Sequence, residues 1–288
     1  MQSNGTIRIA VQRSGRLSDG SINLLKEMGL KFETYKDRLF TRCRNLPFDI
    51  LFLRDDDIPE YVKDGVADIG IVGSNVLDET GADINRLLAL NFGYCALSIA
   101  VPEQSEIVSV KDLSGKKIAT SYPSILKSYL AEQNIKSGII VLKGCVEIAP
   151  TLNVSDAICD LVSTGSTLRT NRLRVIQTIS ENQAVMIGSK EMSIKKKACV
   201  DNLLMRANAI QKGMKNKYIV FDVPKAGIKK IEEVILGYKA SISILSQDSR
   251  LANMQTIVSG DDVWTIVEKI KECGGEDLKV FSIDKLII

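Results

Sequence analysis

The sequence predicts an α/β chain with two parallel-sheet regions and a small βαββαβ domain at its C-terminal end. Three observations carry this. Short β-branched runs alternate with amphipathic helical patterns through most of the chain, the rhythm of parallel sheets with helical crossovers. The pattern restarts at Cys95 with a second strand series. From Tyr218 onward the order becomes strand, helix, strand, strand, helix, strand, a ferredoxin-like succession.

Each element follows from a local pattern. Residues 7–11 (IRIAV) read as a strand that stops at the polar turn Gln12-Arg13-Ser14-Gly15-Arg16. A helix from about Ser18 places Leu24, Leu25 and Met28 on one face. Residues 48–53 form a strand, 57–64 a short helix with Pro59 in its first turn, and 68–73 a strand ending at Gly73-Ser74-Asn75. The run Arg54-Asp55-Asp56-Asp57 follows a strand and offers carboxylates for Mg²⁺, but a cap of that short helix by Asp57 is the simpler expectation. The second series has strands at 95–101, 117–120, 139–142 and 157–162, with helices near 124–133 and 147–152. Strands at 174–178 and 184–187 precede a long helix over about 190–212. Val200, Leu203, Leu204, Ala207 and Ile210 form its buried face. In the tail, strands are expected at 218–223, 241–245, 255–258 and 278–283, and helices at 227–236 and 261–273.

Composition removes several classes of function. The chain has 288 residues, 45% of them hydrophobic, and a net charge of +3. That charge is too mild to argue for nucleic acid, and Lys195-Lys196-Lys197 reads as a solvated helix face. No apolar run of about 18 residues suggests a membrane span, and MQSNGTIRIAV lacks a signal-peptide pattern. The six cysteines form no CxxC or zinc spacing, so a reducing, cytoplasmic setting is expected. There is no histidine, which excludes Ser-His-Asp and Cys-His catalysis and HExxH sites. Neither a P-loop nor a convincing GxGxxG is present.

The informative stretch is DAICDLVSTGSTLRTN, residues 156–171. A strand feeds Ser163, Thr164, Gly165, Ser166 and Thr167, and a helix is expected to start near Thr167. Four hydroxyls around one glycine, followed by the free N–H groups of a helix start, suit a phosphate monoester. The same residues also suit a polar turn that caps the helix through Ser163 or Ser166. Asp156 before the strand and Glu147 after another strand are carboxylates suited to a ribose diol, or else surface charges. Arg13 and Arg16 follow the first strand, where α/β sheets place ligands, and their guanidinium geometry suits polyphosphate.

Several stretches in order resemble the long form of ATP phosphoribosyltransferase, the first enzyme of histidine biosynthesis. They are IRIAVQRSGRLSDGS, FDILFLRDDDIPEYVKDGVADIGIVGSNVL, NFGYCALSIAVP, KKIATSYPSILKSYL, GCVEIAP and DAICDLVSTGSTL, with KYIVFDVP continuing into the tail. The resemblance implies two periplasmic-binding-protein-like catalytic subdomains plus a C-terminal ferredoxin-like regulatory domain. Residues 1–94 with 183–216 would form the first subdomain, 95–182 the second, carrying the phosphate loop, and 217–288 the regulatory domain. It implies attack of N1 of ATP on C1 of phosphoribosyl pyrophosphate, with Mg²⁺ on the departing pyrophosphate. L-histidine is implied as inhibitor, and a homo-oligomer, a hexamer with a dimer form, as the assembly.

By the same resemblance residues 163–167 cradle the 5-phosphate, Glu147 and Asp156 hold the ribose hydroxyls, and Arg16 meets pyrophosphate or the ATP phosphates. Arg13, Asp160, Asp68 and Tyr122 complete the substrate-binding set; no metal ligand is assigned. Arg13 stands where many relatives carry Lys. The tail reads LGYKASISIL at 236–245, where the family has a PG…PTI-x-PL pattern. The other readings of the chain are a two-lobed binding or effector-sensing module, a kinase, and a short-form transferase, which the βαββαβ tail opposes.

Overall fold

The computed structural model describes residues 5–34 and 38–287. Residues 1–4 and 288, which the sequence reading includes in the first and last domains, lie outside it, as do residues 35–37. The chain runs β1 (Ile7–Gln12), α1 (Ser18–Glu27), β2 (Phe40–Arg42), β3 (Phe48–Leu53), α2 (Ile58–Lys63), β4 (Ile69–Gly73), α3 (Ser74–Thr80) and β5 (Asn85–Ala89). It continues with β6 (Cys95–Pro102), β7 (Lys117–Thr120), α4 (Pro123–Glu132), β8 (Gly138–Val141), β9 (Ala157–Val162), α5 (Ser166–Thr170), β10 (Leu173–Asn182) and β11 (Ala184–Gly188). The last part is α6 (Ile194–Lys215), β12 (Asn216–Pro224), α7 (Ile228–Gly237), β13 (Ile242–Gln247), β14 (Leu251–Ser259), α8 (Val263–Glu272) and β15 (Glu276–Ser282).

The first sheet has the order β2-β3-β1-β4-β11-β5, and β3, β1 and β4 are parallel. Every residue of β4 and of β11 is buried, as continuous apolar runs in a doubly covered sheet must be. The second sheet has the order β10-β6-β9-β7-β8, with β9, β7 and β8 parallel. The chain passes between these two sheets twice, after β5 and at Gln183 between β10 and β11. They form two lobes of one compact unit, Met1–Cys199.

The other unit is Val200–Ile288. Its sheet has the order β13-β14-β12-β15, all antiparallel, the ferredoxin-like arrangement expected from βαββαβ. Alternate residues of β12 and β14 are buried, so one face carries the core. Ile231 and Ile235 of α7, with Val263, Ile266, Val267 and Ile270 of α8, cover Phe221, Val223, Ala252 and Met254. The boundary between the units falls inside α6 rather than at 216/217. The reason is contact: the Leu286 amide donates to the Ala209 carbonyl, and a Cβ on Gly213 would meet the Ile283 carbonyl at 2.5 Å.

Local expectations change at three places. β2 and β5 carry no strong strand signal; β5 lies largely at the surface and pairs only along β11. The helix expected over 147–152 shrinks to one 3₁₀ turn, Val146–Ile148, because Cys145 enters it at φ 52° and Pro150 supplies no N–H. Asp57 occupies the cap position of α2 but makes no side-chain capping bond. Among the described residues, no helix is long and apolar enough to cross a membrane.

Candidate functional site

Parallel strands bring their outgoing ends to one edge, and each lobe offers such an edge. In the second lobe, β9 leads to the loop at 163–167, β7 leads to Tyr122, and β8 leads to the turn holding Glu147. In the first lobe, β1 leads to Arg13 and Arg16, β3 to Arg54 and Asp55, and β4 to Asn75.

The loop is built by Gly165. It takes φ 72° as the residue before α5, a left-handed conformation costly for any side chain with a Cβ. The first amides of α5 then have no intrahelical acceptor. Ser163, Thr164, Ser166 and Thr167 are exposed, and the hydroxyls of Thr164 and Ser166 lie 3.1 Å apart in a hydrogen bond. Arg169 leans back over the loop, its Nη1 3.4 Å from where a Gly165 Cβ would stand. Sequence reading missed Arg169, although its position four residues after Gly165 places it on the next helical turn.

Asp160 stands on β9 just before the loop and is half-buried. Burial, and to a smaller degree Glu147, push its carboxyl above the usual range, against a hydrogen bond from the Leu161 amide. Asp160 and Glu147 are therefore electrostatic neighbours. Tyr122 completes this wall. The Thr120 hydroxyl donates to the Cys159 carbonyl at 2.7 Å and accepts the Tyr122 amide at 2.8 Å, which ties Tyr122 to the strand of Asp160. The phenol is raised by burial first, then by Asp160, Asp55 and Asp56.

On the facing wall, the Gln12 side chain accepts the Leu17 amide at 2.9 Å and braces the turn that carries Arg13 and Arg16. Arg16 donates to the Gly93 carbonyl at the crossing between lobes, and its guanidinium runs beside Gly73. Its charge reaches Asp55 and Cys95. Arg13, Ser14, Ser18, Asp19, Arg54 and Asp55 line a cavity of about 640 Å³, a volume typical of small-molecule sites. In the sequence Asp55 is one of an acidic run that offers carboxylates for Mg²⁺. Its Oδ1 is buried without a hydrogen-bond partner among the described residues, and burial pushes the carboxyl up to about 6.

Two expected site residues are not brought to these edges. Asp156 precedes β9, and its carboxylate accepts the Lys117 amide at 2.7 Å at the incoming end of the sheet. About 3.3 Å of rise per residue separates it from the loop by the length of the strand. Asp68 likewise precedes β4. It is only 6% exposed, accepts the Arg8 amide at 2.9 Å and pairs with Lys196 at 2.7 Å. Both corrections have one physical reason: a residue before a parallel strand lies at the edge opposite the ligand edge. Asp160, unlike Asp156, stands at the loop edge of the sheet. Among the described residues, no cluster of three or more His, Cys, Asp or Glu forms a metal site of protein groups alone.

The chain is similar to known proteins of one family. The family model described as ATP phosphoribosyltransferase matches residues 54–209, and the model for the C-terminal domain of that family matches 214–285. ATP phosphoribosyltransferase of Cytophaga hutchinsonii is 42% identical, covering 98% of this chain and 98% of its own. The enzyme of the same name from Parabacteroides distasonis is 41% identical, over 98% of this chain and 100% of its own. Among solved structures, a chain of an ATP phosphoribosyl transferase (HisG:HisZ) complex from Thermotoga maritima is 27% identical with TM-score 0.62. It matches 70% of this chain and 96% of its own. A histidine kinase sensor domain similar to periplasmic binding proteins, 12% identical with TM-score 0.51, shares the two-lobed fold alone, over 72% of this chain and 90% of that one.

Proposed function

The chain belongs to the ATP phosphoribosyltransferase family, and from that premise we propose how its cleft divides the work of the transfer. The enzyme transfers phosphoribosyl from phosphoribosyl pyrophosphate to N1 of the ATP adenine, releasing pyrophosphate, in histidine biosynthesis. The observation that carries the assignment of roles is the convergence of the 163–167 loop, Asp160, Glu147 and Tyr122 on one edge of the second lobe. The loop amides and hydroxyls hold the 5-phosphate, with Arg169 adding charge. Glu147 and Asp160 accept hydrogen bonds from the ribose hydroxyls. Arg13 and Arg16, from the first lobe, meet the pyrophosphate.

In the reaction the N1 lone pair forms the bond to C1 as the bond from C1 to the pyrophosphate oxygen breaks. Positive charge grows on the ribose ring, where Glu147 and Asp160 face it. Negative charge grows on the leaving oxygens, where the arginines stand. Alignment and preorganised charge supply the acceleration, and no side chain has to move a proton in the transfer step. That suits a chain without histidine.

Magnesium ion is typically held by one or two carboxylates together with substrate phosphates. The neighbouring carboxylates Glu147 and Asp160 fit that pattern, since a cation would offset the burial and, to a smaller degree, the Glu147 charge that raise Asp160. When bound, Mg²⁺ neutralises charge on the departing pyrophosphate. The C-terminal unit is assigned to feedback control by L-histidine and the enzyme to a cytoplasmic homohexamer with a dimer form, on family membership.

Mixing the chain with ATP, phosphoribosyl pyrophosphate and Mg²⁺ and following ultraviolet absorbance tests the reading. Adduct suppressed by L-histidine is expected. Adduct indifferent to L-histidine would remove the feedback role, and no adduct from folded protein would remove the transferase reading itself.

A further inference from the structure

One face of α3 reaches across to the other lobe. Glu79, near the end of α3, accepts the Ser124 amide at 2.8 Å through one carboxylate oxygen and the Ile125 amide at 3.0 Å through the other. Those are the first free amides of α4, which belongs to the second lobe. Four residues earlier on α3, and so on the same face, Asn75 donates to the Tyr122 hydroxyl at 3.3 Å. Residues 75 and 79 of one lobe thus grip three of the four residues 122–125 of the other; the fourth, Pro123, has no amide hydrogen to offer.

The chemistry of the grip is complementary. The amides at a helix start lack intrahelical acceptors and carry the positive end of the helix dipole. A carboxylate that takes two of them makes two charge-assisted hydrogen bonds in fixed geometry. Covalently the lobes are joined by two chain crossings, at 90–94 and at Gln183, and the Ser74 hydroxyl donates to Asn182 beside the second of them at 3.0 Å. The grip also borders the reacting space, because Tyr122 feels the charges of both Asp160 and Asp55.

We propose that Glu79 is a positioning residue, which holds the two lobes at the separation where Arg16 on one and the Glu147–Asp160 pair on the other face the same substrates. Glu79 touches neither substrate and acts through α4 and Tyr122. This rests on the transferase reading given above. Loss of the grip lowers the fraction of molecules with a closed cleft, and apparent affinity falls by that fraction. Saturating substrates themselves bridge the lobes and restore closure.

The test is steady-state kinetics on Glu79→Ala and Glu79→Gln in the full chain. Glutamine keeps the shape and one acceptor, and circular dichroism identifies which variants are folded. The expected result is a KM for phosphoribosyl pyrophosphate raised roughly tenfold in Glu79→Ala, less in Glu79→Gln, with kcat within about twofold of wild type. Unchanged KM in folded variants, or a fall in kcat alone, would overturn the proposal. Hydrogen exchange on the unmutated protein is the second measurement: the Ser124 and Ile125 amides should be protected without substrates, and fast exchange there would also overturn it. An inactive wild type would sink the transferase reading, while the exchange experiment still decides the grip.

Discussion

Asp160 stands three residues before Ser163 at the outgoing end of β9, whereas Asp156, at the incoming end, gives its carboxylate to the Lys117 amide at 2.7 Å. The two acids flank the same run of chain, one before β9 and one within it, but have different surroundings. Asp160→Asn is expected to lower turnover by about a hundredfold, the scale of losing a preorganised electrostatic group. Asp156→Ala is expected to cost about 1 kcal/mol of stability, one hydrogen bond, with turnover of the folded protein kept. Steady-state rates beside urea unfolding of both variants check this; equal losses of turnover would return Asp156 to the site.

The conformation of Gly165, not the space around it, limits what can replace it. A Cβ would find only Arg169, at 3.4 Å, but φ is 72°. Gly165→Val should therefore cost about 1–2 kcal/mol locally and weaken binding of phosphoribosyl pyrophosphate roughly tenfold or more, as the loop abandons its turn. Calorimetric titration measures it, and unchanged affinity would take the loop out of the phosphate site.

Gly93 differs in that space fails as well. At φ 65°, a Cβ there would lie 2.2 Å from Leu17 Cδ2 and 3.3 Å from Arg16 Nη1. Leu17 is fully buried and cannot retreat. Gly93→Ala is expected to destabilise the chain by about 1–3 kcal/mol and to displace Arg16, with a loss in kcat/KM larger than the stability change explains. Kinetics at a temperature where circular dichroism shows the variant folded would separate the two effects.

Asp55 makes stability depend on pH. Burial, with Asp56, raises its carboxyl from 3.8 to about 6, and Arg16 only partly opposes this. The folded chain therefore holds this proton more tightly than the unfolded chain does. That contribution is complete below about pH 4 and is lost as pH rises through 6. Asp55→Asn should flatten this part of the profile and gain roughly 2 kcal/mol over wild type near pH 7.5. Urea midpoints at three pH values across this range would show it, and parallel profiles would refute it.

Elements with local signals were legible before any contact was known. The strands at 48–53, 117–120 and 157–162 appear with the bounds the sequence predicts, because the residues that pack into the core of a parallel sheet are apolar and mark each run. The βαββαβ tail was legible for a related reason, its alternating strands and amphipathic helices each recording one buried face. The 163–167 loop was legible because left-handed backbone calls for glycine. Tertiary structure alone decided which acids share a site. An aspartate before a strand and one within it look alike in a list of residues, but parallel packing sends them to opposite edges of the sheet. Glu79 and Asn75 had no local signal, and Asp55 had only its place in an acidic run. Their significance comes from partners 45 or more residues away, or from a buried oxygen left without one, and the chain acquires those relations only when its two lobes meet.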